Sequence, residues 1–191
     1  MTRERLSAFT DGVVAILITI MVLDLRVPTG PNWADLLKNY YSFIAYFTSF
    51  FILAIYWNNH HHLFHLLKQV SGRILWLNMI LLFVMSFVPF TTAWLAEYAG
   101  YQVPEFLYTM NNLIVDVFYT FLTFEILKKS GFQILKSHWG WKAGFSMLVL
   151  LIGIILNAIT SFHQVGIICT LLSIIPWIIP DRQIENYVNK S

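Results

Sequence analysis

Charged residues are scarce in this sequence. They make up 12% of its 191 residues, about half of the roughly 25% typical of soluble domains, which argues against an ordinary cytosolic enzyme. The single cysteine, Cys169, excludes an intrachain disulfide and therefore a small disulfide-bonded scaffold. A net charge of only +2 argues against a nucleic-acid partner. With 58% hydrophobic residues and a mean hydropathy of +0.65, the composition excludes a disordered chain and predicts an integral membrane protein.

The hydrophobic residues are grouped in six stretches of helical length. They fall at about 7–25, 42–66, 74–96, 105–127, 143–161 and 163–179, and about 20 residues are enough to cross the hydrocarbon core. No stretch alternates as a β-barrel strand does. The sequence therefore predicts an all-α polytopic membrane protein with six transmembrane helices, residues 1–191 forming a single domain. The sixth stretch is short, contains Pro176 and is followed directly by Pro180.

Lysine and arginine are distributed unequally between the connections. Ten of the twelve fall on one side of the six predicted spans, and Arg26 and Lys38 fall on the other side together with Glu97 and Glu105. The ten are Arg3, Arg5, Lys68, Arg73, Lys128, Lys129, Lys136, Lys142, Arg182 and Lys190. Because positive residues favour the cytoplasmic side, we expect a multi-pass protein of the cell inner (plasma) membrane with both termini cytoplasmic.

The first predicted helix has two faces. At 100° per residue, one arc of about 100° collects six residues, while Asp11 points away from that arc beside Ser7. The six are Arg5, Phe9, Ile16, Thr19, Ile20 and Leu23. An aliphatic stripe of this kind usually faces lipid or a neighbouring helix, and the pattern alone favours that interpretation.

Four histidines lie close together at the end of the second predicted helix. His61 and His65 have the i, i+4 spacing of zinc-binding helices, so one hypothesis is a membrane metalloenzyme that uses His60, His61, His62 and His65. No glutamate lies between them and no cysteine is near. The simpler interpretation is that one or two histidines bond Asp11 or a backbone carbonyl, and that the others lie at the water interface.

Asp116 lies deep in the fourth predicted helix without an evident partner, whereas Glu125 lies close to Lys128 and Lys129 and is expected at the membrane interface. Acidic residues inside a membrane are costly and frequently functional. A second alternative is therefore a proton-coupled transporter that uses Asp11, Asp116 and a histidine.

Three short motifs follow one another along the first three predicted helices. They are Arg5-x-x-x-Phe9-Thr10-Asp11, Trp57-x-x-His60-x-x-x-Phe64 and Pro89-Phe90. In their order and spacing they resemble the motifs of the transmembrane-protein-175 potassium channels, whose signature is Arg-x-x-x-Phe-Ser-Asp, with threonine here in place of serine. The signature occurs once, as in the six-span bacterial members, and His60 is matched by spacing alone within a run of three histidines.

The resemblance implies a homotetramer with the first helices around a central pore. Carried over by position, Ile16, Ile20 and Leu23 would form aliphatic rings that narrow the pore, and Thr19 would add hydroxyls. Near the cytoplasmic end a structural polar network would comprise Arg5, Phe9, Thr10, Asp11, Trp57 and His60. The implied function is a cation channel modestly selective for potassium over sodium, in a lipid bilayer, with no enzymatic activity, cofactor or metal. The residues implied to line the pore are the ones that the helical arc collects.

Overall fold

The computed structural model describes residues 2–67, 69–131 and 135–178, and side chains of 139–178 within the last range. Every regular element in these ranges is an α-helix, which confirms the predicted all-α class. The helices are α1 (Arg3–Leu23), α2 (Trp33–Leu37), α3 (Tyr40–His65), α4 (Gly72–Met85), α5 (Val88–Glu97), α6 (Gln102–Ser130), α7 (Leu135–Ile159), α8 (Val165–Ser173) and α9 (Ile175–Ile178).

Five segments are long and apolar enough to cross a membrane. They are Arg3–Leu23, Tyr40–His65, Gly72–Glu97, Gln102–Ser130 and Trp139–Ile159. The helix that carries the fifth span begins earlier than the predicted 143–161, at Leu135. The last apolar segment, Val165–Ile178, measures only about 21 Å at 1.5 Å per residue, shorter than a hydrocarbon core of about 30 Å. Residue 179, the predicted end of the sixth span, lies outside the described residues.

The third span is interrupted by a short break between Met85 and Val88. Pro89 occupies the first turn of α5, where its missing N–H and fixed φ are tolerated, although the same residue would disrupt a helix interior. The interruption of the span therefore lies in the turn that precedes the proline.

Helix α6 occupies the centre of the subunit. It is the most buried of the five long spans and packs against α4, α5, α7 and α8. Helix α1 packs against α3, α4 and α5 through Leu6, Val14, Leu17 and Met21, which are all buried. Since only this face is covered, the opposite face of α1 lies on the surface of the subunit.

Ion pairs connect the ends of neighbouring elements. Arg26 Nη2 lies 2.5 Å from Glu97 Oε2 and so links the segment after α1 to the end of α5. Arg73 Nη1 lies 3.6 Å from Glu125 Oε2, so the ion pair that Glu125 forms reaches α4 and not the lysines on its own helix. In the short helix α2, the ammonium of Lys38 bonds Asp35 and lowers the pKa of that carboxyl.

Candidate functional site

The predicted pore stripe of α1 points away from its own subunit. The exposed fractions of Ile16, Ile20 and Leu23 are 58%, 42% and 81%, and Thr19 is exposed beside them. The hydroxyl of Thr19 donates to the carbonyl oxygens of Ala15 and Ile16 within the same helix, at 3.0 Å in each case. In the isolated subunit these side chains therefore form a free, mostly aliphatic surface.

A second strip of α1, beside this stripe, consists of small residues. Ala8, Gly12 and Ala15 are all exposed, and a Cβ added at Gly12 would meet nothing within 4 Å. At 100° per residue Ala8 and Ala15 lie beside the aliphatic arc, while Gly12 lies just inside its edge, close to Thr19. Small side chains in this arrangement allow two membrane helices to approach closely.

Asp11 lies at the contact between α1 and α3. The indole Nε1 of Trp57 donates to its Oδ1 at 2.8 Å. The same carboxyl lines a pocket near the start of α1, together with Ser7, His61 and His65. Because an unpaired carboxylate is costly within a membrane, the indole bond stabilises Asp11 in this position and holds α1 against α3.

A buried chain of hydrogen bonds joins α1, α3 and α4. His60 Nε2 lies 2.8 Å from Asn78 Oδ1, and Asn78 Nδ2 donates to Thr10 Oγ1 at 2.9 Å. Thr10 in turn donates to the carbonyl oxygen of Leu6 at 3.0 Å. His60, Asn78 and Thr10 are each at most 3% exposed. Asn78 was not among the predicted site residues, although its position in the apolar run of α4 indicated that it needs a buried partner.

The predicted network is therefore only partly assembled within one subunit. Among the described residues, His60 bonds Asn78 and not Asp11. The guanidinium of Arg5 forms no hydrogen bond or ion pair in the same ranges, and Phe9 lies on the exposed face. Arg3, which was not predicted, instead donates to the carbonyl oxygens of His65 and Leu67 at 3.4 and 3.5 Å. A cation at the last carbonyls of α3 is stabilised by the helix dipole.

Two other histidines at the end of α3, His61 and His65, contact each other through their rings. His65 Nε2 lies 3.1 Å from His61 Nε2. Within the described ranges there is no group of three or more histidine, cysteine, aspartate or glutamate side chains placed to hold a metal ion. Because catalytic zinc sites use three protein ligands, this geometry does not support the metalloenzyme alternative.

Two acidic residues have buried partners that the sequence did not indicate. Asp116 accepts a hydrogen bond from Ser146 of α7, which corrects the expectation that it lacks a partner. Glu105, expected in an outer connection, is fully buried, where it accepts from the Tyr41 hydroxyl and, at 3.1 Å, from the backbone N–H of Ile167. A side chain at the adjacent Gly166 would clash, because a Cβ there would lie 2.8 Å from Glu105 Oε2.

Comparison with known proteins relates this arrangement to a family. Residues 5–89 match the family model described as endosomal/lysosomal potassium channel TMEM175. A potassium channel of Chryseobacterium sp. (strain P1-3) is 40% identical over 194 residues, covering 100% of both chains. The chain belongs to the TMEM175 family of potassium channels. The family predicted from the sequence is thus confirmed.

Two further comparisons give a solved structure and a second bacterial channel. The crystal structure of a lysosomal potassium-selective channel TMEM175 homologue from Chamaesiphon minutus matches with a TM-score of 0.77 at 28% identity, covering 92% of this chain and 96% of the other. A potassium channel of Streptomyces collinus is 43% identical over 98 residues, which are 49% of this chain and 48% of the relative. The protein is accordingly a multi-pass membrane protein with the TMEM175 fold.

Proposed function

We propose that this protein is a potassium channel whose pore is formed by the α1 helices of four subunits. The observation that carries the proposal is the exposed aliphatic stripe of α1, which adjoins the buried Thr10–Asn78–His60 chain and the Asp11–Trp57 bond. Membership of the TMEM175 family supports the same function. We assign the protein no catalytic role.

The two strips of α1 suggest how the helices assemble. One helix cannot line a pore, so the pore requires several copies related by symmetry. The strip of Ala8, Gly12 and Ala15 is suited to contact with a neighbouring α1. That contact would direct Ile16, Ile20 and Leu23 toward the axis, where each residue meets its symmetry-related copies.

The chemistry of the rings accounts for modest selectivity. Aliphatic side chains offer an ion no substitute for its water, so a conducting pore has to be wide enough for a partly hydrated cation. Potassium holds its water less tightly than sodium and therefore enters at lower cost. Thr19 supplies an oxygen where part of the hydration shell is lost. When the rings come closer together, the pore loses its water and closes.

The test is flux of potassium and of sodium into liposomes for the wild type and for Ile16→Asn. We expect Ile16→Asn to raise cation flux about tenfold, equivalent to about 1.4 kcal/mol of barrier, and to reduce the preference for potassium, because hydrated sodium then passes. The matched control is Ile155→Asn on α7, since the exposed fraction of Ile155 is 56%. If both variants remain tetrameric and behave like the wild type, the stripe is a packing face.

We also propose six spans with both termini cytoplasmic, α8 and α9 together forming the last span. The distribution of lysine and arginine supports this orientation. Single cysteines at Tyr98 and Tyr101, which are exposed, should react with a membrane-impermeant reagent from outside in a Cys169→Ser background. A cysteine at Lys129 should not react. The reverse pattern would contradict the orientation.

A further inference from the structure

A small cavity lies between α1, α3, α4 and α6. Its volume is about 10 Å³, and its walls include Thr10 and Val14 of α1, Tyr56 and His60 of α3, Leu81 of α4 and Tyr119 of α6. About 10–15 Å³ is the least space that holds one water molecule. The cavity is therefore too small for a hydrated ion or an organic ligand.

Two walls of the cavity carry polar atoms that form no hydrogen bond of ordinary geometry with a described residue. They belong to His60 (Nδ1) and Tyr119 (the hydroxyl), and the two residues are 3% and 1% exposed. The Tyr119 hydroxyl has the side chain of Thr123 near it, one turn along α6. Almost all buried polar atoms in proteins form a hydrogen bond. Two such residues on one cavity therefore indicate that a third group joins their polar atoms.

The neighbouring hydrogen bonds fix what His60 Nδ1 requires. Asn78 donates through Nδ2 to Thr10, so its Oδ1 is the atom that accepts from His60 Nε2. In the neutral ring the proton is then on Nε2, and Nδ1 presents a lone pair. The ring stacks on Phe64 with centroids 3.9 Å apart, which holds this orientation. Nδ1 therefore needs a donor within the cavity.

Tyr119 and Tyr56 connect the same cavity to a buried carboxyl of α6. Its ring packs edge-on against Tyr56 with centroids 5.0 Å apart. Tyr56 in turn lies next to the carboxyl of Asp116, one turn from Tyr119 on α6. Asp116 Oδ1 also has no partner among the described residues. A group bound between His60 and Tyr119 would extend the buried chain from α1 toward this carboxyl.

We propose that the cavity is a binding site for one water molecule. The water donates one hydrogen bond to His60 Nδ1 and accepts one from the Tyr119 hydroxyl. Its second hydrogen is directed to Thr10 Oγ1, which retains a free lone pair after bonding Asn78 and Leu6. Three partners are typical of a buried water. Tyr119 is thereby a positioning residue for His60, and this role does not depend on which ion the protein conducts.

The site is tested by comparing the wild type with Tyr119→Phe, which keeps the ring and removes the hydroxyl. One measurement is a structure of the assembled protein at a resolution that shows ordered waters. The other is the ¹⁵N NMR spectrum of histidine-labelled protein, with the His60 signals assigned from His60→Gln. We expect a water within about 2.7–3.2 Å of both His60 Nδ1 and Tyr119 Oη in the wild type. In Tyr119→Phe we expect that density to be lost and the Nδ1 resonance to move toward that of an unbonded ring nitrogen.

Tyr108→Phe is the matched control, because Tyr108 is equally buried on α6 but its hydroxyl is already bonded to Ser49 at 3.0 Å. It should reduce stability and leave the His60 signals unchanged. A second variant, Val14→Leu, fills the cavity from α1 and should move the Nδ1 resonance in the same direction. It tests the same site if Tyr119→Phe does not fold. The proposal is overturned by a protonated Nδ1, by the absence of water density in the wild type, or by an Nδ1 resonance that neither variant moves.

Discussion

Helices α1 and α6 distribute their polar side chains in opposite ways. The free face of α1 is aliphatic, whereas the polar residues of α6 lie on one buried face along most of its length. These residues are Glu105, Tyr108, Thr109, Asn112, Asp116, Tyr119 and Thr123. From Glu105 to Thr123 the stripe spans about 27 Å, close to the thickness of the hydrocarbon core.

The comparison separates two tasks that polar groups perform in membrane proteins. In many transporters, intramembrane charges line the path of the substrate. Here the acidic groups of α6 bond other helices of the same subunit: Glu105 joins α3 and α8, and Asp116 joins α7. The stripe of α1 proposed to face the ion carries no charge between Ile16 and Leu23. Polar bonds thus hold the subunit together, while an aliphatic surface is left for the proposed pore.

The largest effect should come from breaking the polar face of α6. Glu105→Ala leaves the Tyr41 hydroxyl and the Ile167 N–H without their acceptor in a buried site. Two buried donors without partners cost about 3 kcal/mol together. Thermal unfolding of the purified protein measures the loss. Glu97→Ala is the control, since its ion pair with Arg26 is largely exposed and is worth less than about 1 kcal/mol. Equal losses for the two variants would contradict a structural role for the buried stripe.

A smaller effect is expected where the polar and aliphatic faces meet. Asp11→Ala removes the acceptor for Trp57 Nε1, at a cost of about 2 kcal/mol. It should reduce folding or the assembly of the proposed tetramer more than selectivity, because Asp11 lies off the aliphatic stripe. Size-exclusion chromatography with paired potassium and sodium flux checks this. If Asp11→Ala assembles fully and differs from the wild type only in selectivity, the wild-type carboxylate of Asp11 faces the ion.

The smallest effect concerns the aliphatic stripe itself. Thr19→Val conserves shape and removes the oxygen, whose hydrogen bonds are confined to its own helix. Assembly and thermal stability should stay within about 0.5 kcal/mol of the wild type, as for other surface substitutions, while the flux ratio of potassium to sodium or the conductance falls. An unchanged ratio and rate, measured in the same liposome assay as Ile16→Asn, would remove Thr19 from the pore.

The sequence was informative where structure depends on neighbours along the chain. Helical spacing separated Ile16, Ile20 and Leu23 from Asp11, and the structure places the three aliphatic side chains on the exposed face of α1. Hydrophobic length also predicted the long spans. Pro89 is a local signal of the same kind, because proline affects the turn that contains it.

Partners distant in sequence could not be predicted in the same way. Asp116 and Ser146 are 30 residues apart, and their contact depends on how α6 packs against α7. Asn78 indicated only that some partner was needed, since an amide can bond many groups. Arg3 and Arg5 differ by about 200° around α1, so which of them reaches the end of α3 depends on how the helix is rotated in the fold.

The hydroxyl of Thr19 has a consequence for how an ion experiences the narrow part of the proposed pore. Because its proton is directed back to the carbonyls of Ala15 and Ile16, the negative end of the hydroxyl dipole faces away from the helix. In a four-fold assembly this orientation presents four hydroxyl oxygens through their lone pairs and no ionisable group. The attraction that such a ring exerts on a cation does not change with pH between the titration ranges of aspartate and lysine, since no proton can be gained or lost there.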